Sequence, residues 1–315
     1  MQREGSLNEG PLHGWINCWK PAGVTSHHVV YQVRKLLTVN GKRPKVGHAG
    51  TLDPFAEGIL PLAIGEATKT VSYQMDASKE YEFLLRWGES RDSGDCEGVV
   101  IATSSVRPDK ETVAKALQTF MGGYKQTPPM YSAIKINGKR ACDRVRAGES
   151  VDIAGRNRFV RIDDLCFVNW ENKEGQSFQV LLRVSCGKGT YVRALGADIA
   201  EAVGALGYVE SLTRTRVGRF AKKNAISLGK LEEVRHNVVH TSAWVSVRES
   251  LDDIPALCLT PTDAEHLRCG IRVKILDLPV TQTFLGIDTD GAPVGILEKC
   301  DGGVRPKRMF NKHAE

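Results

Sequence analysis

Apolar and polar positions alternate with a period of two over Gly14–Lys20 and again over Lys79–Trp87, where Tyr81, Phe83 and Leu85 fall on one face. Both runs predict strands. Pro21, Ala22 and Gly23 stop the first. Thr25 or Ser26 can then cap a helix whose apolar positions Val29, Val30, Val33, Leu36 and Leu37 follow the 3.6-residue period. The apolar run 59–64 predicts a buried strand, and 67–75 a short helix or turn. Further on the pattern predicts a turn at 91–95 and a short strand at 99–101. A helix opens at Pro108 and Asp109, with Val113, Leu117, Phe120 and Met121 inward, and Gly122 and Gly123 close it. Two neighbouring strands follow at 159–170 and 178–186, separated by a polar turn at 171–175. After Cys186 comes a helix through Leu195, Ile199 and Val203; if strand geometry persists up to it, Tyr191 and Arg193 face the same way. A basic, β-prone segment covers 213–220. From Leu251 the texture changes to a small unit, with a helix at 262–268 and strands around Val273, Phe284 and Val294, the last two joined by an Asp290-Gly291 hairpin turn.

Two stretches break this regularity. Residues 47–60 carry little strand or helix character: Gly47, Gly50 and Gly58 allow backbone angles closed to other residues, and Pro54 biases Asp53 toward an extended conformation. The segment predicts a shaped loop presenting one carboxylate, Asp53. An Asp before Pro often only closes an Asx-turn, and the segment alone does not separate that role from a catalytic one. In the second stretch, 124–151, Pro128-Pro129 breaks regular structure, Asn137-Gly138 signals a hairpin, and Lys135, Lys139, Arg140, Arg144 and Arg146 make it basic. It predicts a projecting arm.

Composition narrows the class. With 315 residues, 41% of them hydrophobic, the chain can fill one large domain and a small one. No window approaches the roughly eighteen consecutive apolar residues of a membrane helix, and the polar N-terminus has no apolar leader region, so a loose arm and a cytoplasmic location are expected. The eight cysteines form no C-x-x-C pair or zinc-like spacing, which predicts reduced thiols, mostly buried. Net charge is +6, and the basic residues gather at 125–146, 156–161, 214–223 and 305–312, a distribution suited to a polyanion. Gly187-Lys-Gly189 lacks the glycine spacing and the following Ser or Thr of a nucleotide phosphate loop. A metal-dependent hydrolase built on His48, Asp53 and Glu57 would lack a third strong ligand nearby.

Four stretches, in this order and spacing, resemble one family: Lys20-Pro-Ala-Gly-Val-Thr-Ser26, Gly47-His-Ala-Gly-Thr-Leu-Asp-Pro54, Lys79-Glu-Tyr81 and Gly187-Lys-Gly-Thr-Tyr-Val-Arg193. They are similar to the bacterial tRNA pseudouridine-55 synthases, the TruB family, from about residue 15 to about residue 220. The region after Leu251 is similar to that family's C-terminal PUA-like RNA-binding domain. One departure is Trp19, where the family commonly carries Asp; this touches a local contact and not the shared catalytic set. The resemblance implies an α+β pseudouridine-synthase fold with a large mixed, mainly antiparallel sheet flanked by helices. It further implies an N-terminal arm at 1–13, a catalytic domain at 14–250 and the small PUA-like β domain at 251–315.

The activity implied is isomerisation of the uridine at position 55 in the T-loop of tRNA, an isomerase reaction in tRNA processing. The N1-glycosidic bond breaks, the base turns over, and C5 bonds to the sugar. All atoms come from the substrate, so neither a cofactor nor a metal is called for. Asp53 would be the nucleophile, Tyr81 would stack on the flipped base, and Arg193 would hold Asp53 ionised. Tyr191 would line the other side of the base, and His48 would take its vacated place in the RNA stack. Lys20, Lys139, Arg140, Arg144, Arg214 and Arg216 would complete the RNA-binding set, with the arm and the 214–223 run gripping phosphates. The partner implied is the T-arm of tRNA, bound by a monomer. Two alternatives stay open: a non-catalytic RNA-binding protein, which would not need Asp53, and a synthase acting on another RNA.

Overall fold

The computed structural model describes residues 12–311, apart from 133, 137, 151–152, 154, 174–175 and 276; at 135, 140, 171–173 and 176–177 only the backbone is described. Residues 1–11 of the N-terminal arm expected at 1–13, Asn137 of the predicted hairpin turn, and residues 174–175 of the predicted polar turn lie outside those residues.

A ten-stranded sheet forms the centre, in the order Ile162–Lys173, Gln176–Cys186, Lys79–Trp87, Gly207–Val217, Glu57–Ile64, Gly14–Lys20 and Ile226–Ser227. Val46–His48, Phe220–Ala221 and Trp244–Ser246 pair alongside this path. Neighbours run antiparallel except at two places, where Gly207–Val217 meets Glu57–Ile64 and where Gly14–Lys20 meets Ile226–Ser227. This is the mixed, mainly antiparallel sheet that the resemblance implied. Phe83 and Leu85, alternating as expected, pack with Val113 and Leu117 of the Lys110–Phe120 helix and with Leu195 and Ile199 of the Val192–Ala202 helix. Elsewhere Leu60, Leu62 and Ile64 bury against Val29 and Val33 of the Ser26–Leu36 helix. Each such side chain, removed from water, contributes about 1.5–3 kcal/mol before the entropy of ordering it is counted. Thr25 caps the Ser26–Leu36 helix by accepting from the His28 N–H at 3.0 Å, and Asp109 caps Lys110–Phe120 by accepting from Thr112 at 2.8 Å.

The region after Leu251 forms its own five-stranded sheet, in the order Ala256–Cys258, Thr283–Ile287, Pro293–Cys300, Gly303–Met309 and Val273–Lys274, beside the helix Pro261–Arg268. Phe284, Val294, Leu297 and Val304 fill its core. Leu285, Ile287, Ile296 and Phe310 pack with Trp15, Val217 and Phe220 of the large sheet. Glu66 fastens the join by accepting from the Asn311 N–H at 2.9 Å, and Lys69 donates to the Met309 carbonyl at 2.9 Å.

Five local expectations are corrected. The cysteines are not mostly buried: Cys18 and Cys186 are, while Cys258 and Cys269 are exposed and the other four lie between. The stretch 47–60 is irregular only over 49–56, because Val46–His48 pairs with 62–64 and a second strand begins at Glu57. The expected strand 159–170 divides: Arg158–Val160 pairs with Tyr124–Gln126, and Ile162–Lys173 joins the main sheet. Gly123 permits that division, since a Cβ there would lie 2.3 Å from the Val160 carbonyl oxygen. Met121, expected inward, is 36% exposed because the helix has ended at Phe120. Strand geometry does not persist to Arg193: Tyr191 is the N-cap and Val192 starts the helix, so residues 191 and 193 do not share a strand face.

Candidate active site

The loop 49–56 is clamped from beneath. Ser26 Oγ accepts from the Leu52 N–H at 2.9 Å and donates to the Leu52 carbonyl at 3.0 Å. Lys20 Nζ donates to the carbonyls of Val24 at 2.7 Å, Pro21 at 2.9 Å and Pro54 at 3.2 Å, which uses all three of its protons. Arg214 donates to the carbonyls of Ile59 at 2.7 Å, Gly50 at 3.0 Å and Thr51 at 3.4 Å. Gly58, at φ +116°, lets the strand pass so close to Arg214 that a Cβ would lie 2.2 Å from its carbonyl oxygen. Lys20 and Arg214 are 0% and 1% exposed, so both sit under the loop as struts, whereas the resemblance placed both in the RNA-binding set. Burial also drives the Lys20 ammonium down to about 8. A cation held by carbonyls inside a protein costs desolvation that a surface lysine does not.

Asp53 stands at the outer side of this clamped loop. Its Oδ2 accepts from Arg193 Nε at 2.9 Å, and the Asp53 side chain is 36% exposed against 4% for Arg193. The arginine is held in all directions. Its Nη1 donates to the Ser93 carbonyl at 2.7 Å and lies 3.2 Å from Asp95 Oδ2, and its Nη2 donates to the Tyr131 carbonyl at 2.9 Å. Asp95 is itself fixed, accepting from Ser93 Oγ at 2.6 Å and from the Glu97 N–H at 3.0 Å. Sequence reasoning missed Asp95, treating 91–95 as a plain turn. The available signal was an acidic residue in a Ser-Gly-Asp turn, with nothing local to show that Arg193 returns to it across the fold.

Tyr81 lies in the core cluster with Leu52, Ala56, Val184 and Leu212 and is 9% exposed. Burial pushes its phenol pKa up, and the neighbouring Arg214 pulls it down. Tyr191 is half-buried, and the Arg158 guanidinium covers one face of its ring at 4.6 Å. His48 closes the strand before the loop; burial first, and then the Arg214 charge, hold its imidazole below its ordinary value, so it is neutral at pH 7. Trp19 lies beside Lys222, whose Nζ is 5.3 Å from the ring centre. In the arm Lys139 is exposed, Arg144 Nε is 2.5 Å from Glu149 Oε2, and the Arg140 side chain lies outside the described atoms. Arg216 donates to Ser78 Oγ at 3.3 Å and to the Gly218 carbonyl at 3.4 Å. Asp53, Arg193 and Tyr81 therefore converge on one place, with Lys20 and Arg214 beneath it. Among the described residues no group of three or more His, Cys, Asp or Glu is arranged to hold a metal ion.

A carboxylate anchored to a buried guanidinium, with a tyrosine ring close by, is equipped for nucleophilic or general-base chemistry. The model of the TruB family pseudouridylate synthases (N-terminal domain) matches residues 34–192. A tRNA pseudouridine synthase B of Gluconacetobacter diazotrophicus is 43% identical, over 95% of this chain and 98% of that one. Its counterpart from Rhodospirillum rubrum is 39% identical, over 95% and 97%. Among solved structures, a chain of an H/ACA RNP bound to a substrate RNA containing 2'-deoxyuridine shares the fold, with a TM-score of 0.70 over 99% of this chain and 94% of that one at 19% identity. A chain of a Cbf5-Nop10-Gar1 complex does so with a TM-score of 0.70 over 95% and 85% at 23% identity. On the family match and these relatives, the chain belongs to the TruB family of pseudouridylate synthases.

Proposed function

We propose that this chain isomerises the uridine at position 55 in the T-loop of tRNA to pseudouridine, with Asp53 as the nucleophile. The observation that carries the reading is the part-exposed Asp53 carboxylate bonded to the buried Arg193, beside the ring of Tyr81. A stacked uridine is out of reach of such a carboxylate, so the base flips out of the stack to meet it, at a cost of about a few kcal/mol. Tyr81 then supplies the stacking face, Tyr191 the opposite wall, and the neutral His48 fills the place left in the RNA stack. The N1–C1′ bond breaks and a C5–C1′ bond forms; C5 loses its proton and N1, freed from the sugar, gains one, so the reaction balances without a cofactor. Lys139, Arg140, Arg144 and Arg216 contribute phosphate contacts, while Lys20 and Arg214 serve the same site from below by holding the loop. The chain acts in this reading as a cytoplasmic monomer. Its boundaries are an arm at 1–13, a catalytic domain at 14–250 with the basic arm at about 124–151, and a PUA-like RNA-binding domain at 251–315.

Tritium release from C5-labelled uridine in a tRNA transcript tests the proposal. Release should follow the purified protein and vanish when the uridine at position 55 is replaced by cytidine. Release only from another RNA would move the activity to that substrate, and binding without release would leave a non-catalytic RNA-binding protein.

A further inference from the structure

The root of the basic arm is bonded to the start of the helix that carries Arg193. Gln126, 0% exposed, is the last residue of the strand Tyr124–Gln126 that pairs with Arg158–Val160. Its side chain does what a neighbouring strand's backbone would do. Oε1 accepts from the Tyr191 N–H at 2.8 Å, and Nε2 donates to the Tyr191 carbonyl at 3.0 Å. Nε2 also donates to the Tyr124 hydroxyl at 2.7 Å, which in turn donates to Asp198 Oδ2 at 2.6 Å on the helix Val192–Ala202. The amide is thus fully satisfied, with its orientation fixed by a donor on one side and an acceptor on the other.

The Tyr191 N–H, at the cap of the helix, has no partner within that helix and needs an outside support, while the Tyr191 carbonyl already accepts from the Leu195 N–H at 3.0 Å. Gln126 supplies it two residues ahead of Arg193. A second tie lies further along the arm, where the Tyr131 carbonyl accepts from Arg193 Nη2 at 2.9 Å and the Tyr131 hydroxyl donates to Asp92 Oδ2 at 3.1 Å. Residues 126 and 131 therefore hold the start of the helix and the guanidinium itself.

Resting on the proposed reaction, we infer that Gln126 is a positioning residue: it fixes the Tyr191 backbone to the arm root and thereby sets Arg193 in line with Asp53. Gln126 touches neither Asp53 nor the reacting base. Its effect passes through Arg193, which separates it from residues that merely bind RNA or keep the arm folded.

The test is a double-mutant cycle on the full chain, with single-turnover tritium release at saturating tRNA transcript and a parallel measurement of tRNA affinity. Gln126→Leu should slow the saturated rate roughly tenfold or more, because misplacing a catalytic group by about 1 Å can cost on the order of a hundredfold. Affinity should stay within about twofold, since the phosphate contacts are untouched. In an Arg193→Lys background the same substitution should cost less than about twofold, because the group it positions is already gone. An additive loss in that background, a loss confined to affinity, or an unchanged saturated rate would each overturn the inference. If Gln126→Leu does not fold, Gln126→Glu is measured in the same cycle; it keeps an acceptor for the Tyr191 N–H and loses the donor to its carbonyl. The unsubstituted protein is the control, since failure of that protein to release tritium contradicts the proposed reaction and not the role of Gln126.

Discussion

Arg193→Lys keeps a positive charge at the centre of the site and removes the fork. The guanidinium reaches four acceptors: Asp53 Oδ2 at 2.9 Å, the Ser93 carbonyl at 2.7 Å, Asp95 Oδ2 at 3.2 Å and the Tyr131 carbonyl at 2.9 Å. An ammonium has three donors on one atom and cannot span them. Asp95 is the better-buried carboxylate, 5% exposed, so the substituted lysine should stay with it and let go of Asp53, which water can partly solvate. Losing a hydrogen bond to a charged group costs about 1.5–3 kcal/mol, and the lower half applies to a carboxylate that is about one-third exposed. Taken wholly in the transition state, roughly 1.5–2 kcal/mol slows the saturated rate by about 10- to 30-fold. Arg193→Ala would be a poorer probe, because leaving Asp95 buried and unpaired costs about 3–5 kcal/mol of stability and mixes unfolding with catalysis. The assay is single-turnover tritium release at saturating tRNA below the melting transition of both proteins. A rate within about twofold of the unsubstituted protein, with folding intact, would refute the claim that the fork positions Asp53.

Tyr81→Leu should fold with a near-normal melting temperature and lose on the order of tenfold or more in rate, since a base–aromatic stack is worth roughly 1–3 kcal/mol. Early unfolding with a normal rate in the cold would return Tyr81 to the scaffold. Replacing Lys139, Arg140 and Arg144 together with Ala should weaken tRNA binding and lower the log–log salt slope by about 0.7–0.9 for each phosphate left without its cation; an unchanged slope would mean that the arm does not meet RNA. For Lys20, burial lowers the folded-state value to about 8, below the ordinary lysine value of about 10.4, so the unfolded chain binds the extra proton between those two limits. The stability of the unsubstituted protein relative to Lys20→Met should therefore rise from about pH 8 to about pH 10.4 and stay flat below pH 8, by denaturant titration. A difference that is constant across that window would contradict the strut assignment.

How much of this could be read beforehand differs by residue. Gly14–Lys20 and Lys79–Trp87 were legible to the residue: alternation in the second records burial on one face, while the first, buried almost throughout, was bounded by the Pro21-Ala-Gly23 stop. The short strand Val46–His48 was not: Val-Gly-His has little β preference of its own, and its ladder comes from the strand it meets. Asp53 stood out through its glycine-rich frame and its family motif. Lys20 and Arg214 shared that prominence, but charge in a sequence does not reveal which way a side chain points. Both turned inward, where backbone carbonyls of an irregular loop needed donors. Asp95 and Gln126 were invisible for a different reason. Their roles exist only because Arg193 and Tyr191 come back to them from 98 and 65 positions away, and no local pattern encodes such a meeting.

The central claim is that the Asp53 carboxylate performs the chemistry, and Asp53→Asn tests it most directly. The amide preserves the size of the side chain and an oxygen for Arg193 Nε, yet it cannot act as the nucleophile. Purified Asp53→Asn should bind tRNA with near-normal affinity through the phosphate contacts and form no pseudouridine in a single-turnover experiment. Appreciable pseudouridine from that variant would contradict the assignment of Asp53.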